Sequence, residues 1–393
     1  MHLTHLTLAN FRNYAHLELD LDPGVTLLQG NNACGKTSLL EAIFYLATSK
    51  SPHAGADREL MRWGGDEPIP FARIESQVVK SSGAPTQIEI VLVQATDEKK
   101  ETPNKPNGRV SKRIKVNGIP KRGLDLLGEL NVVLFLPEDL NLVFGSPGDR
   151  RRYLDITLSQ IDPRYGRALT KYNQVLEQRN GVLREFKERA YNPQQLDVYT
   201  QQLIAEGAYV TARRAEAITR YNQLVAEIQP RLTDAREQLR LVYQPSIVAD
   251  SEPDIAASFK RQLTDLRARE LSAAVTLVGP HRDDVRFWLD RPHAPAMDAN
   301  TYASRGQGRT IALALKLAEV ALMRAETGEA PVLLLDDVMS ELDAPRHAAI
   351  AQTMMHAPQA IITTTDLEHF TPEFLERVRV LRVCDGAISQ ERA

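Results

Sequence analysis

A short strand that runs into a glycine-bracketed octapeptide and leaves it as a helix constrains this chain more than any other feature. Val25 to Leu28 is an apolar run, and Gly30-Asn31-Asn32-Ala33-Cys34-Gly35-Lys36-Thr37 follows with the spacing G-x-x-x-x-G-K-[ST]. Leu39, Leu40, Ile43 and Leu46 then recur at helical intervals, so Thr37 to Leu46 reads as a helix. That order commits the chain to an α/β fold with an anion-binding loop at a strand end. The glycines let successive backbone N–H groups turn inward where a Cβ would clash. Lys36 is expected to reach the β- and γ-phosphates and Thr37 to supply a hydroxyl to Mg2+. Ser38 completes the binding segment, on a helix whose positive end faces the anion.

A second element answers the first. Val332-Leu333-Leu334-Leu335-Asp336-Asp337 is an apolar strand ending in two carboxylates. Buried carboxylates are costly unless something neutralises them, and a magnesium–nucleotide complex is a suitable partner. Asp336 is assigned to the metal and Asp337 to the attacking water. Taken alone, the pair also reads as an N-cap or turn; the loop at residue 30 decides for the nucleotide, ATP. Tyr302-Ala303-Ser304-Arg305-Gly306-Gln307-Gly308 precedes a helical run from Thr310 to Met323 and resembles the signature loop of ABC enzymes. There Ser304, Gly306 and Gln307 would present a hydroxyl and N–H groups to the γ-phosphate held by another subunit. Ser340-Glu341-Leu342-Asp343 resembles the D-loop that follows the acidic strand. Lys36, Asp337 and Ser304 are the expected catalytic groups, with Thr37 and Asp336 on the metal.

Bulk properties narrow the class. A chain of 393 residues suits two domains, and 43% hydrophobic with 25% charged residues is an ordinary globular balance. Two distant cysteines, Cys34 and Cys384, make no disulfide framework and fit a reducing, cytoplasmic compartment. The N-terminus lacks an apolar signal core, and no run approaches the ~20 residues that span a bilayer, so no membrane partner is expected. The net charge of −3 excludes a generally basic nucleic-acid coat. Lys99 to Arg122 concentrates nine positive residues against Glu101 alone; it reads equally as a solvated insertion or a phosphate-facing patch. No Cys/His cluster has zinc spacing.

Along the chain, Leu6 and Leu8, then Leu17, Leu19 and Leu21, alternate as half-buried strands. Thr96 to Arg113 reads as an exposed loop, and Val116-Asn117-Gly118-Ile119 as a hairpin turn. After about residue 150 the period becomes helical. Leu169, Tyr172, Leu176, Leu183 and Phe186 mark one face, and Leu196, Tyr199, Leu203, Val210, Tyr221, Leu224 and Ile228 another. Pro193 separates the two runs and Pro230 closes the second, which would be about 50 Å long, with Gly207 a candidate bend. Strands are expected at Ala274 to Val278, Val285 to Leu289 and Ala360 to Thr364, with a linker at Asp290 to Asn300. The expected architecture is α/β: an ABC-type P-loop ATPase head with a mixed β-sheet lobe, over 1–155 and 272–393. An α-helical domain is inserted at 156–271.

Several further stretches in order bring a specific resemblance. They are Phe11-Arg12-Asn13-Tyr14, Gly30-Asn31-Asn32, Asn131 to Phe135 with Pro137-Glu138-Asp139-Leu140, Gly145-Ser146-Pro147 through Asp155, Gly279-Pro280-His281-Arg282-Asp283-Asp284, the Ser304 loop, and Leu334 to Asp343. Together they resemble the RecF family of DNA-repair ATPases over nearly the whole chain. The resemblance implies an ATP-dependent homodimer and DNA binding at single-strand/double-strand junctions, gaps or linear duplex. It also implies RecR- and RecO-type mediator partners. Asp337 stands where transporter-type ABC enzymes carry a longer Glu, so slow hydrolysis is expected. Thr364-Thr365-Asp366 stands where they carry a switch His, and Glu138 and Asp139 lie near the Q-loop position. Lys50, Ser51, Pro52, His53 and Ala54 replace an arginine-bearing stretch. Arg150-Arg151-Arg152 reads as a DNA contact or, preferably, as a helix cap or partner of acids such as Asp155; His281 and Arg282 read as folding contacts. A transporter subunit, a metabolic P-loop kinase and an SMC-type architectural clamp are the rival classes.

Overall fold

The computed structural model describes residues 1–64, 69–94, 110–186, 192–248 and 254–390. The Lys99, Lys100, Glu101, Lys105 and Arg109 part of the basic segment lies outside them. The strands before residue 138 are β1 (His2–Phe11), β2 (Tyr14–Asp20), β3 (Gly24–Gln29), β4 (Phe71–Val79), β5 (Pro85–Gln94), β6 (Val110–Val116), β7 (Ile119–Lys121) and β8 (Val132–Phe135), with helix α1 (Lys36–Thr48) after β3. Then come α2 (Asn141–Phe144), α3 (Pro147–Ile161), α4 (Pro163–Glu185), α5 (Pro193–Leu232), β9 (Gln238–Gln244), α6 (Ile255–Asp265), α7 (Arg267–Ala273), β10 (Asp284–Arg291), β11 (Ala294–Asp298), α8 (Ala299–Tyr302) and α9 (Arg305–Thr327). The chain ends with β12 (Val332–Asp336), α10 (Ala344–His356), β13 (Gln359–Thr364), α11 (Pro372–Leu375), β14 (Arg379–Cys384) and β15 (Ala387–Gln390).

Met1–Glu138 with Met323–Ala393 forms one compact unit, and Asp139–Leu322 another. The expected boundaries lay at 155/156 and 271/272. A cut at 271/272 would part β9 from β10, which pair in antiparallel register from Gln238↔Asp290 to Gln244↔Asp284.

The first unit holds two six-stranded sheets. One is antiparallel, in the order β2-β1-β4-β5-β6-β7; the other runs β15-β14-β3-β13-β12-β8. In the second, β14, β3, β13, β12 and β8 are parallel. The central strands have both faces covered: all five residues of β12 and all six of β13 are buried. The register pairs Gln29 with Thr364, Asp336 with Thr363, and Leu335 with Phe135. The carboxyl ends of β3, β13, β12 and β8 therefore open along one edge, where ligands bind in open α/β sheets. The antiparallel sheet alternates inward leucines with outward polar residues. Its outer face carries charges in cross-strand partnership, Arg73 and Lys115 both with Glu89, and Arg73 also pairs with Glu75 along its own strand. Asn117 and Gly118 take positive φ of 51° and 75° in the β6–β7 hairpin, as an Asn-Gly turn demands. Val110 to Arg113 is strand rather than loop, pairing with Gln94 to Val91.

The second unit packs α3 to α7 with a three-stranded sheet, β11-β10-β9. Its α5 runs unbroken for 40 residues, about 60 Å at 1.5 Å per residue. Pro193 starts it at N1, where a missing N–H costs nothing. Pro230 sits inside it, and the helix ends at Leu232. Gly207 serves contact rather than bending: a Cβ there would lie 2.7 Å from Phe259 and 2.9 Å from Tyr172. Ala274 to Val278 is not a strand. Side chains hold its backbone instead: Asn180 accepts from the Thr276 N–H at 2.8 Å, and Glu270 from the Leu277 N–H at 2.8 Å. Asp290 to Asn300 is no linker; it contains the β10–β11 hairpin, turned at His293 with φ 60°. No helix among the described residues is long and apolar enough to cross a membrane.

Candidate functional site

The glycines of the loop after β3 are needed for different reasons. A Cβ on Gly30 would sit 2.3 Å from the Val383 carbonyl oxygen, so strand β14 excludes any side chain there. Gly35 has φ +110°, which L residues rarely adopt, and the Asn13 side chain fills the space beside it. Ala33, also at positive φ, is the strained member of the loop. Backing groups fix the loop from outside. Asn13 Nδ2 and the Gly386 N–H donate to the Cys34 carbonyl at 3.0 and 3.2 Å, and the Tyr14 hydroxyl donates to the Gly35 carbonyl at 2.9 Å. With its carbonyls turned to these donors, the loop is shaped to offer N–H groups on its inner side.

Gly35 is the N-cap of α1 and supplies no side chain to its first turn, so those N–H groups are available to an anion. Lys36 is buried at 6% exposure, and its ammonium donates to the Gly30 and Asn31 carbonyls at 2.6 and 2.9 Å. Burial holds its pKa below the ordinary lysine range, while Asp337, Cys34 and Asp336 act in the opposite sense. Asp336, at 8% exposure, ends β12 two strands from the loop. Thr37 Oγ1 lies 3.0 and 2.8 Å from its two carboxylate oxygens, across 299 positions of sequence. A hydroxyl beside a buried carboxylate, next to a phosphate loop, is a donor set that suits Mg2+.

Thr363, which the sequence reading passed over, joins the acidic pair. Its Oγ1 donates to Asp336 at 2.7 Å and accepts the Asp337 N–H at 3.0 Å. The visible signal was a run of threonines closing an apolar strand. Thr364 turns instead to the Asp366 carbonyl at 2.7 Å. Asp337 takes a left-handed φ of 49°, an uncommon conformation for a non-glycine residue and one concentrated at functional sites.

These groups border a cleft of about 820 Å³. Asn32, Ala33, Gly35, Lys36, Thr37 and Ser38 reach it from the loop and α1, and Asp336 and Asp337 from β12. Gly30, Asn31 and Cys34 do not line it; they shape the loop. Glu138 lines the cleft from the end of the β8 segment, and so does His53 from the replaced arginine stretch.

The signature-like residues belong to the second unit. Ser304 precedes α9 and Gln307 follows three residues later in a reciprocal cap: the Gln307 N–H donates to Ser304 Oγ at 3.2 Å, and the Ser304 N–H to Gln307 Oε1 at 2.9 Å. Gln307 Nε2 also donates to Glu237 at 2.6 Å. Ser304 and Gly306 are exposed. Gly308, which closes the signature-like stretch, is where Phe144 would meet a Cβ at 2.4 Å.

Arg150 and Arg151 of the arginine run make structural contacts. Arg150 forks onto Asp284 at 2.7 and 3.0 Å and donates to the Gly145 carbonyl at 2.9 Å; Arg151 donates to the Asp283 carbonyl at 2.7 Å. Asp155 pairs with Arg214 at 2.8 Å. His281 accepts at Nδ1 from the Tyr172 hydroxyl at 2.6 Å, because its Nε2 faces the Thr276 carbonyl at 3.2 Å and must carry the proton.

The model of the RecF/RecN/SMC N terminal domain matches residues 2–388. A protein of Chloroflexus aurantiacus named DNA replication and repair protein RecF is 43% identical over 99% of each chain. One of the same name from Roseiflexus castenholzii is 43% identical over 98% of this chain and 99% of its own. A solved structure described as the recombination mediator protein RecF with ATP in the RecFOR pathway superposes with a TM-score of 0.86 at 31% identity. It covers 99% of this chain and 97% of that one. Loop, acidic strand and signature residues thus sit on a full-length match, and the chain belongs to the RecF family of DNA replication and repair proteins, with that family's ABC/SMC-type head fold.

Proposed function

We propose that this chain binds ATP with Mg2+ in the cleft between the β3–α1 loop and Asp336, hydrolyses it slowly, and uses it to dimerise on DNA. The observation that carries the reading is the Thr37–Asp336–Thr363 set of hydrogen bonds, which joins the phosphate loop to the acidic strand in one pocket. Thr37 and Asp336 would hold the magnesium, which when bound neutralises the phosphates and the carboxylate. Lys36 would move its ammonium from the loop carbonyls to phosphate oxygens. Asp337, held by Thr363, would orient and polarise the attacking water; its short side chain reaches less far than a glutamate, which favours a slow rate.

Ser304 of a second copy would close each site. Its oxygen accepts from Gln307, which leaves the hydroxyl hydrogen to donate to a γ-phosphate, with the α9 N-terminus behind it. The relatives' names support DNA replication and repair as the setting and, through the RecFOR pathway, RecO- and RecR-type mediators as partners; DNA gaps or junctions as substrates, and a cytoplasmic location, belong to the proposal. Lys112 is committed to Ser49 and Asp57 and Lys115 to Glu89, so among the described basic residues of 110–122 the exposed Arg113, Lys121 and Arg122 are better placed for phosphates. Sedimentation with and without MgATP tests the composite site. A shift from monomer to dimer on ATP, lost in Ser304→Arg, is expected; the same monomer content in both conditions contradicts it.

A further inference from the structure

The cleft has two kinds of lining. The phosphate loop and the two aspartates form one; Arg12, His53, Glu59, Met61, Arg62 and Trp63 form the other. The second group contains no phosphate-binding motif, yet it is anchored to the phosphate helix through one carboxylate. Glu41, on α1 and 3% exposed, accepts from Arg12 Nε and Nη2 at 2.7 and 2.8 Å. It also accepts from the Ser51 hydroxyl. Ser51 Oγ in turn accepts the His53 and Ala54 N–H groups at 2.9 and 2.6 Å, and Arg12 Nη1 donates to the Glu59 carbonyl at 2.8 Å.

We infer that Glu41 is a positioning residue for the nucleoside half of the nucleotide. A buried carboxylate must be fully partnered, and here its partners are the two segments that build the wall. The Nε–Nη2 edge of Arg12 is spent on Glu41 and one Nη1 hydrogen on Glu59, so three of its five N–H groups are committed and the plane of the guanidinium is fixed in the cleft wall. A guanidinium held in a fixed plane offers a flat face on which a base can stack. Arg12 itself sits at φ 52°, a conformation that the Glu41 fork and the bond from its own N–H to the Leu60 carbonyl, at 2.8 Å, hold in place. Glu41 thereby fixes the wall to the same helix that carries Lys36 and Thr37, and sets the distance between nucleoside and phosphate contacts.

The inference rests on the nucleotide-site reading above, and two probes separate the two. Calorimetry on the full chain would use MgATP and, separately, magnesium tripolyphosphate, which has the phosphates and no nucleoside. Wild type binding neither probe overturns the site reading itself. In Glu41→Gln the amide sets an N–H against the guanidinium, and MgATP affinity is expected to fall about 10-fold, with tripolyphosphate affinity unchanged. Ser51→Ala, which keeps the ion pair, should shift MgATP in the same direction by less, and it carries the test if Glu41→Gln fails to fold. Equal losses for both probes would mean that Glu41 merely supports the phosphate loop; no loss for either would mean that the wall needs no such anchor. Either result overturns the inference.

Discussion

Thr363 Oγ1 serves both acidic groups at once, giving its hydrogen to Asp336 and taking the Asp337 N–H. Thr363→Val keeps the shape and removes both bonds, so Asp337 loses its backbone anchor in a strained conformation. ATP turnover is expected to fall about 10- to 100-fold while KM changes little, since the phosphate contacts stay. An unchanged kcat would show that Asp337 needs no anchoring. At this scale the sequence was informative where chemistry demands a fixed spacing: Lys36, Thr37, Asp336 and Asp337 all lie on one cleft. It was silent where a residue acts by register. Thr363 matters because β13 lies between β3 and β12, and nothing in a run of threonines says which of them faces the acid. Gly30 was readable as necessary, but the reason, the Val383 carbonyl, comes from a strand 353 positions later.

Elements with a long clear period were legible, and those defined by side-chain satisfaction were not. Strands β3, β12 and β13 and helices α1, α4, α5 and α9 follow the apolar pattern. Ala274 to Val278 has strand composition, yet Asn180 and Glu270 take its N–H groups, and no ladder forms. A mid-helix glycine suggested a bend in α5; packing against Phe259 and Tyr172 explains it instead. Gly207→Ala should therefore cost about 1–3 kcal/mol by overpacking, against a small gain expected from helix propensity alone. Urea denaturation decides the sign, and a more stable variant would refute the packing account. In the same unit, burial chiefly, with Arg282, Arg151 and Arg214 adding to it, lowers the His281 pKa to about 4. Between that value and the unfolded value of about 6.5, only the unfolded chain binds the proton, so this stability is present above the window and is lost as pH falls through it. His281→Gln has no such titration. Its stability deficit relative to wild type should narrow from about pH 7 to about pH 4 in thermal scans. A constant deficit would contradict the buried neutral imidazole.

At the scale of the molecule, a net charge of −3 leaves DNA contact to local patches, while the proposed nucleotide site lies wholly within one compact unit, on segments near residues 30 and 336. The unit boundaries were harder to read than the site. Motif spacing survives in sequence, but whether a hairpin such as β10–β11 packs with a helical lobe or a nucleotide head depends on strand pairing at long range. Titration of MgATP into the wild-type chain and into Lys36→Met and Asp336→Asn is the most direct measurement of the central claim. The account requires one saturable site per chain, with affinity or turnover reduced about 100-fold or more in both variants. Wild-type binding and turnover in either variant would place the triphosphate elsewhere and remove the basis for the functional reading.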